Sequence, residues 1–193
     1  MSLITVNWDN VKSVKFNENE LKILALNEDI LWTVPYVYRT ILNRSISGAY
    51  VNDSVKNVGA YAFYDCSNLT SVSFPSATHI GDYGFYGCSS LTSVDFPSAT
   101  SISTYAFYDC SKLTAVDFPS ATSIDGIAFQ RCSQLTSVSF PLVTNIGTYA
   151  FSDCSSLTSV DFPSATSMED YAFDDCSSLI SVSFPLVTSI GYF

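Results

Sequence analysis

The feature that most constrains this chain is a period. Cysteine stands at 66, 88, 110, 132, 154 and 176, proline at 75, 97, 119, 141, 163 and 185, and phenylalanine at 63, 85, 107, 129, 151 and 173. Every interval is 22 residues. Self-similarity at that length means a stack of like units, none of which can bury its own apolar face alone. Full units open at Leu69, Leu91, Leu113, Leu135 and Leu157, and a last one opens at Leu179 and runs to Phe193. A lead-in from Val55 to Asn68 matches the second part of a unit. Upstream of it, Ser47 to Ser54 has lost the pattern, as a terminal capping turn does.

Inside a unit, Val72 and Phe74 are two apart, the period of a strand with one buried face. Pro75 follows at once, removes a backbone donor and ends the pairing. The stretch Tyr-Ala-Phe-x-x-Cys, as in Tyr105 to Cys110, is too short for a full helix, and a single helical or 3₁₀ turn is expected there. Apolar residues at 47 % are enough for a core, whereas charged residues at 13 % leave Ser, Thr, Asn and Tyr to cover much of the surface. Parallel strands sit about 4.8 Å apart, so six would span roughly 25 Å. Leu, Val, Phe, Ile and Cys would point inward.

The repeat Leu-Thr-Ser-Val-x-Phe-Pro-x-x-Thr-x-Ile-x-x-Tyr-Ala-Phe-x-x-Cys-Ser-x, over residues 55 to 193, resembles the BspA-like leucine-rich repeats of bacterial surface proteins. The resemblance implies a leucine-rich-repeat solenoid and a non-catalytic binding or adhesion scaffold. Two departures stand out. The units are one residue shorter than the resemblance implies. The asparagine that ordinary leucine-rich repeats place just beyond the strand is replaced by Ala77, Ala99, Ala121, Val143, Ala165 and Val187. A neighbouring threonine column (Thr78, Thr100, Thr122, Thr144, Thr166, Thr188) is expected to bond the turn backbone instead.

Residues 1–34 follow another rule. Val11 to Phe16, Leu21 to Leu26 and Ile30 to Val34 are strand-like and separated by polar turns, which predicts a small β-meander. It resembles the short hairpin modules ending in Leu-Trp, here Leu31-Trp32, that open some bacteriophage tail-associated proteins. That resemblance implies a docking role. Three short strands cannot shield Trp8, Phe16 and Trp32 by themselves, so these are the candidate docking residues. Residues 35–54 then form the linker and degenerate capping turn, and 55–193 the solenoid.

Charge excludes some partners. Residues 1–60 hold six basic and six acidic residues; the remainder holds two basic against twelve acidic, so the net charge of −10 lies there. Such a surface repels phosphate backbones and anionic headgroups, which argues against nucleic acid. No apolar run approaches the roughly 18 residues that span a bilayer, which argues against membrane insertion. The opening residues lack the basic end and apolar stretch of a secretory signal. The expected location is an extracellular particle such as a virion, or a bacterial cell surface.

Chemistry-bearing motifs are scarce. Each cysteine occupies the same slot of its own unit, with no C-x-x-C pair to hold a metal, and buried reduced thiols are expected. His79, the single histidine, fills a slot held elsewhere by Ser or Asn, so no catalytic triad can form. The acidic run Glu169-Asp170 with Asp174-Asp175 lacks the alternating ligands of a calcium loop. No catalytic residue, metal site or cofactor is expected, and the chain reads as non-enzymatic. Two surfaces remain. Ser93, Asp95, Asp117, Ser139 and Asp161 lie on the outward face of the predicted sheet. Tyr64, Tyr86 and Tyr108 form a column on the turn side, suited to protein or carbohydrate contact, or simply to covering the turns.

The function expected is recognition or adhesion by a rigid stack that residues 1–34 anchor to a larger assembly. The alternative is a structural subunit that stacks through its ends and binds no receptor. A last strand near Ser181 to Phe184 with one unpaired side favours a homo-oligomer or multi-subunit assembly. The repeat itself is testable. Deleting residues 91–112 should leave a folded, shorter stack with cooperative unfolding, because the flanking units meet in register. Deleting half that length sets turn against strand and should abolish the transition; like behaviour of both deletions in denaturant melts would refute the register.

Overall fold

The computed structural model describes residues 13–17, 20–24 and 46–192. Strands β1 (Ser13–Asn17) and β2 (Glu20–Leu24) pair antiparallel, with Lys15 opposite Lys22. They correspond to the first two expected strands of the meander. The third, Ile30 to Val34, lies outside the described residues, as do Trp8 and Trp32.

From Ser47 onward every turn of the chain contributes two strands, so the stack has two parallel rows. The first row holds β3 (Ser47–Val51), β5 (Asn68–Ser73), β7 (Ser93–Asp95), β9 (Ala115–Asp117), β11 (Ser137–Ser139), β13 (Ser159–Asp161) and β15 (Ser181–Ser183). These are the Val/Phe strands expected from the sequence. They pair in groups of three, two and two: β3-β5-β7, β9-β11 and β13-β15. The second row was not expected. It is an unbroken seven-stranded parallel ladder of two-residue strands: β4 (Asn57–Val58), β6 (His79–Ile80), β8 (Ser101–Ile102), β10 (Ser123–Ile124), β12 (Asn145–Ile146), β14 (Ser167–Met168) and β16 (Ser189–Ile190). Partners are 22 residues apart throughout, as in Ile124 opposite Ile146. The register slips only in the first turn, between Gly48 and Ala49, where Gly48 takes a positive φ of 80°.

Because each turn repeats the last, each side chain meets its own counterpart. Leu69, Leu91, Leu113, Leu135 and Leu157 are fully buried, as are Ile80, Ile102, Ile124 and Ile146. Two phenylalanine columns run through the core. Neighbours in the column from Phe63 to Phe173 stack with centroids 5.0 to 5.3 Å apart. The column from Phe74 to Phe184 runs beside it at 5.5 to 6.0 Å. Tyr50 takes the valine slot in the first turn and packs on Phe63 and Phe74, covering that end of both columns.

The threonine column behaves as expected. From Thr100 onward the backbone N–H and the hydroxyl both donate to the carbonyl of the threonine 22 residues earlier, at 2.8 and 3.0 Å for Thr100 on Thr78. A second such column, Thr92 on Thr70 and Thr136 on Thr114, and serines donating to proline carbonyls (Ser98 on Pro75, Ser120 on Pro97) repeat the device. Freed of that duty, the slot of the missing asparagine can hold fully buried Ala77, Ala99, Ala121 and Val143.

The Tyr-Ala-Phe-x-x-Cys segments differ from the helical turn expected. Alternate N–H groups bond three residues back, Ala106 to Ser103, Tyr108 to Tyr105 and Cys110 to Phe107. The N–H groups between them reach across to the next turn: Tyr105 to Gly126, Phe107 to Ala128 and Asp109 to Gln130. A helix directs all its N–H groups one way; here the chain reverses direction twice, at the positive-φ residues Tyr105 and Asp109. The result is a third inter-turn ladder.

All six cysteines are free and buried. From Cys88 onward each thiol donates to a phenylalanine carbonyl in the turn before, 3.1 to 3.2 Å away, as Cys110 does to Phe85. Burial pushes the Cys132 and Cys154 thiols well above their ordinary range, and Cys176 up to about 11. In these three, thiolate, the reactive form, is therefore scarce at neutral pH. Titration of the native protein with a thiol reagent should find few reactive groups, with Cys176 labelled first, and denaturation should release all six. Disulfides in freshly purified protein would overturn this reading.

Candidate functional site

Of the two surfaces read from the sequence, the sheet face is present and plain. Ser93, Asp95, Asp117, Ser139 and Asp161 are all exposed. In the strand register Asp95 lies opposite Ser73, Asp117 opposite Ser139 and Asp161 opposite Ser183. The Ser73 hydroxyl donates to Asp95 at 2.7 Å. The face is small, polar and without an aromatic anchor.

The tyrosine side holds more than the column Tyr64, Tyr86 and Tyr108. A second column, Tyr61, Tyr83 and Tyr105, runs next to it. Within each column the rings stack at 4.7 to 4.8 Å with planes 4° to 9° apart. Across the columns, Tyr83 and Tyr86 lie 5.7 Å apart, as do Tyr105 and Tyr108. Six half-buried tyrosines thus form one plate. Its signal in the sequence was the 22-residue recurrence at 61, 83 and 105. It was missed because residues three apart share a face here only through the alternating backbone.

Backbone geometry sets the rings in place. Tyr61, Tyr83 and Tyr105 take φ of 55° to 65°, a region that side chains larger than glycine rarely enter. They stay there because the inter-turn ladder uses their N–H groups, as Tyr83 donating to Thr104. The plate ends where the pattern changes, at Ile127 and Gln130. Next in line, the Arg131 guanidinium lies 5.6 Å from the centre of the Tyr108 ring and 3.7 Å from the Asp153 carboxylate.

Stacking decides what the plate can present. The faces of Tyr83 and Tyr86 are covered by neighbours on both sides, so what they show outward is ring edge. Ring edges and phenol groups of this kind can hydrogen-bond the polar groups of a partner. Burial first, then Tyr105, Tyr61 and Asp82, raises the Tyr83 phenol above its ordinary pKa. Burial, Tyr108, Asp65 and Asp109 do the same for Tyr86.

Other candidates are occupied structurally. His79 is exposed on β6, its Nδ1 2.7 Å from the Ser101 hydroxyl. Glu169 accepts from the Thr148 N–H at 3.0 Å, the Thr148 hydroxyl at 2.8 Å and Asn145 at 3.1 Å, contacts that lower its pKa. Asp170 accepts from the Tyr192 N–H. No group of His, Cys, Asp and Glu suited to a metal occurs among the described residues. None of their helices is long and apolar enough to cross a membrane. Of the docking candidates, Phe16 lies on β1, and Trp8 and Trp32 fall outside the description.

A family model, the BspA type Leucine rich repeat region, matches residues 39–142 and 100–193 in six copies. A solved leucine-rich-repeat protein from T. pallidum is 32 % identical over 74 % of this chain and 72 % of its own, with a TM-score of 0.70. One from Bacteroides ovatus ATCC 8483 is 21 % identical, covers 93 % of this chain and 53 % of its own, and has a TM-score of 0.57. One from Eubacterium ventriosum ATCC 27560 is 24 % identical, with shares of 72 % and 45 % and a TM-score of 0.59. These last two share the fold, and this chain spans about half the length of either. No curated protein matches the sequence.

The raised phenols give the plate a measurable signature. The neutral phenol is favoured in the fold, so this contribution to stability is intact below pH 10 and is lost as pH rises through the raised values. Tyrosinate absorbance of the folded chain should therefore lag behind that of the denatured chain. Replacing Tyr83 and Tyr86 together by Phe should remove the late-ionising part while the rings still stack. Coincident native and denatured curves would show that the plate is not desolvated.

Proposed function

This chain belongs to the BspA type leucine-rich-repeat family, and we propose that it is a non-enzymatic recognition protein whose stack presents the tyrosine plate to a protein partner at a bacterial surface. Leucine-rich-repeat proteins generally mediate protein interactions, and BspA-like ones are commonly bacterial surface proteins. The observation that carries the reading is the plate itself. Tyrosine is among the residues that anchor interfaces, because a rigid ring adds contact area at little entropic cost and its hydroxyl still bonds. The Ser/Asp sheet face lacks such an anchor and serves as polar surround.

The bacterial relatives favour the cell surface over a virion. In this reading residues 1–34, with the β1–β2 hairpin, attach the stack to a larger assembly, and Trp8, Phe16 and Trp32 supply the contact. Residues 35–54 connect the two parts.

Arrays of extracellular proteins and of glycans, probed with the full chain, test the proposal. Saturable binding to protein spots is expected, weakened at least about tenfold when Tyr86 and Tyr108 are both replaced by Ser, a loss of about 1.4 kcal/mol. Binding confined to glycans would refute the protein partner. Binding to neither, with a mass that grows with concentration in light scattering, would favour the purely structural subunit.

A further inference from the structure

Five tyrosine pairs in this stack are copies of one geometry. Tyr61 and Tyr83, Tyr83 and Tyr105, Tyr64 and Tyr86, Tyr86 and Tyr108, and Tyr149 and Tyr171 have ring centres 4.7 to 4.9 Å apart and planes 4° to 10° apart. Because the turns repeat one another, rings so nearly parallel are related almost by translation alone. Each ring atom then lies from its counterpart at about the centroid separation, and the carbon ortho to one hydroxyl faces the carbon ortho to the next. All eight rings are half-buried, so solvent reaches the ladder. The thiols, which would quench a tyrosyl radical, are withdrawn: Cys66, Cys88, Cys110, Cys132 and Cys154 are fully buried in the core.

A phenol that loses an electron and its proton shares the unpaired spin between the oxygen and the ortho and para carbons. The side chain blocks the para carbon, so coupling falls to the ortho positions, the atoms that these columns set face to face. We propose that the tyrosine columns are a site of oxidative cross-linking, where a peroxidase-type one-electron oxidant fed by hydrogen peroxide joins tyrosines 22 positions apart into dityrosine and staples one turn to the next. Each phenol gives one electron and its hydroxyl proton to the oxidant. The two radicals join through one new carbon–carbon bond. Each joined ortho carbon then loses its hydrogen as a proton, through water, to its own ring oxygen, which restores both phenols. Two carbon–hydrogen bonds are broken in all, and one hydrogen peroxide leaves as two waters. Ring rotation on the ps–ns scale supplies the approach that the coupling needs. The negative field around Tyr86, where Asp65 and Asp109 raise the phenol, also favours removal of an electron from the neutral ring.

The site has a boundary. Ile127 and Gln130 interrupt the two columns, which leaves Tyr105 and Tyr149 two turns apart, about 10 Å, beyond ring contact. A plate of six tyrosines and a separate pair result. This chemistry goes beyond the recognition reading and does not depend on it.

The test treats the full chain, in dilute solution, with a haem peroxidase and hydrogen peroxide. The blue fluorescence of dityrosine should appear at a rate per molecule that does not change with protein concentration. Mass spectrometry of the digested chain should find peptides joined with the loss of two hydrogens, between tyrosines of one column in the plate and between Tyr149 and Tyr171. Replacing Tyr83 and Tyr86 together by Phe keeps the rings and should abolish the links between turns in the plate, while the Tyr149–Tyr171 link stays. Ile127→Tyr should add links from position 127 to Tyr105 and Tyr149. The slot accepts this change, because tyrosine holds it at positive φ in the turns on either side. Tyr192→Phe, outside the columns, should change nothing. Three results would each overturn the proposal: no dityrosine under conditions that couple free tyrosine, links formed chiefly between molecules, or links chiefly between tyrosines three apart. A folded Ile127→Tyr chain that gains no link would do the same.

Discussion

One distance governs this protein. Successive turns hydrogen-bond to each other as parallel strands do, which holds them about 4.8 Å apart and sets each residue on its counterpart 22 positions away. A side chain is therefore acceptable only if it can sit on a copy of itself or of its slot-mates. Flat rings satisfy this well. Carbon surfaces touch at about 3.5–4 Å, so rings with centroids 4.7 to 4.8 Å apart are slipped, the offset arrangement aromatic pairs prefer. Threonine satisfies it by turning its hydroxyl onto the carbonyl beneath. Carboxylates satisfy it poorly, and most acidic slots alternate with Ser, Thr, Gly or Arg; only Asp95–Asp117 and Asp153–Asp175 set two acids in neighbouring turns, and there Ser73 donates to Asp95 and Arg131 pairs with Asp153.

Where the constraint acts on one residue at a time, the sequence was easy to read. The leucine, phenylalanine and cysteine columns, the threonine ladder and the Val/Phe strands follow from spacing and residue type. What escaped was the backbone's direction inside a unit. Two-residue strands such as Ser123–Ile124 leave no periodic trace, yet they make the continuous sheet. The Tyr-Ala-Phe-x-x-Cys segment is compatible with a helical turn if read alone. Neighbouring turns decide otherwise, because they offer Tyr105, Phe107 and Asp109 carbonyl partners that a helix would leave unused. The second tyrosine column was hidden for the same reason.

The positive-φ residues deserve a physical account, since Tyr, Arg and even the β-branched Ile127 occupy a region that costs roughly 1–2 kcal/mol per residue. Each turn contains two such corners. Without them the alternate N–H groups could not point both into their own turn and across to the next, and the segment would lose its ladder. Net hydrogen bonds contribute about 0.5–1.5 kcal/mol each, so the three cross-turn bonds of a segment offset its two strained corners. That balance also explains why Asp recurs at 65, 109, 153 and 175: its short polar side chain tolerates this conformation best after glycine.

The uniform register also bears on inheritance. A unit of 22 residues is encoded by 22 codons, so slippage between neighbouring copies of the gene segment adds or removes whole turns and preserves the reading frame. The units that open at Leu135 and Leu179 share Ser-Val-Ser-Phe-Pro-Leu-Val-Thr, whereas the one between them has Ser-Val-Asp-Phe-Pro-Ser-Ala-Thr. Unequal copying of neighbouring units would produce a shared block of this kind. Because the joint between any two turns resembles every other joint, such an event would lengthen or shorten the molecule without asking the core to repack. The reach of the protein is thus a quantity that a lineage can change in a single genetic step.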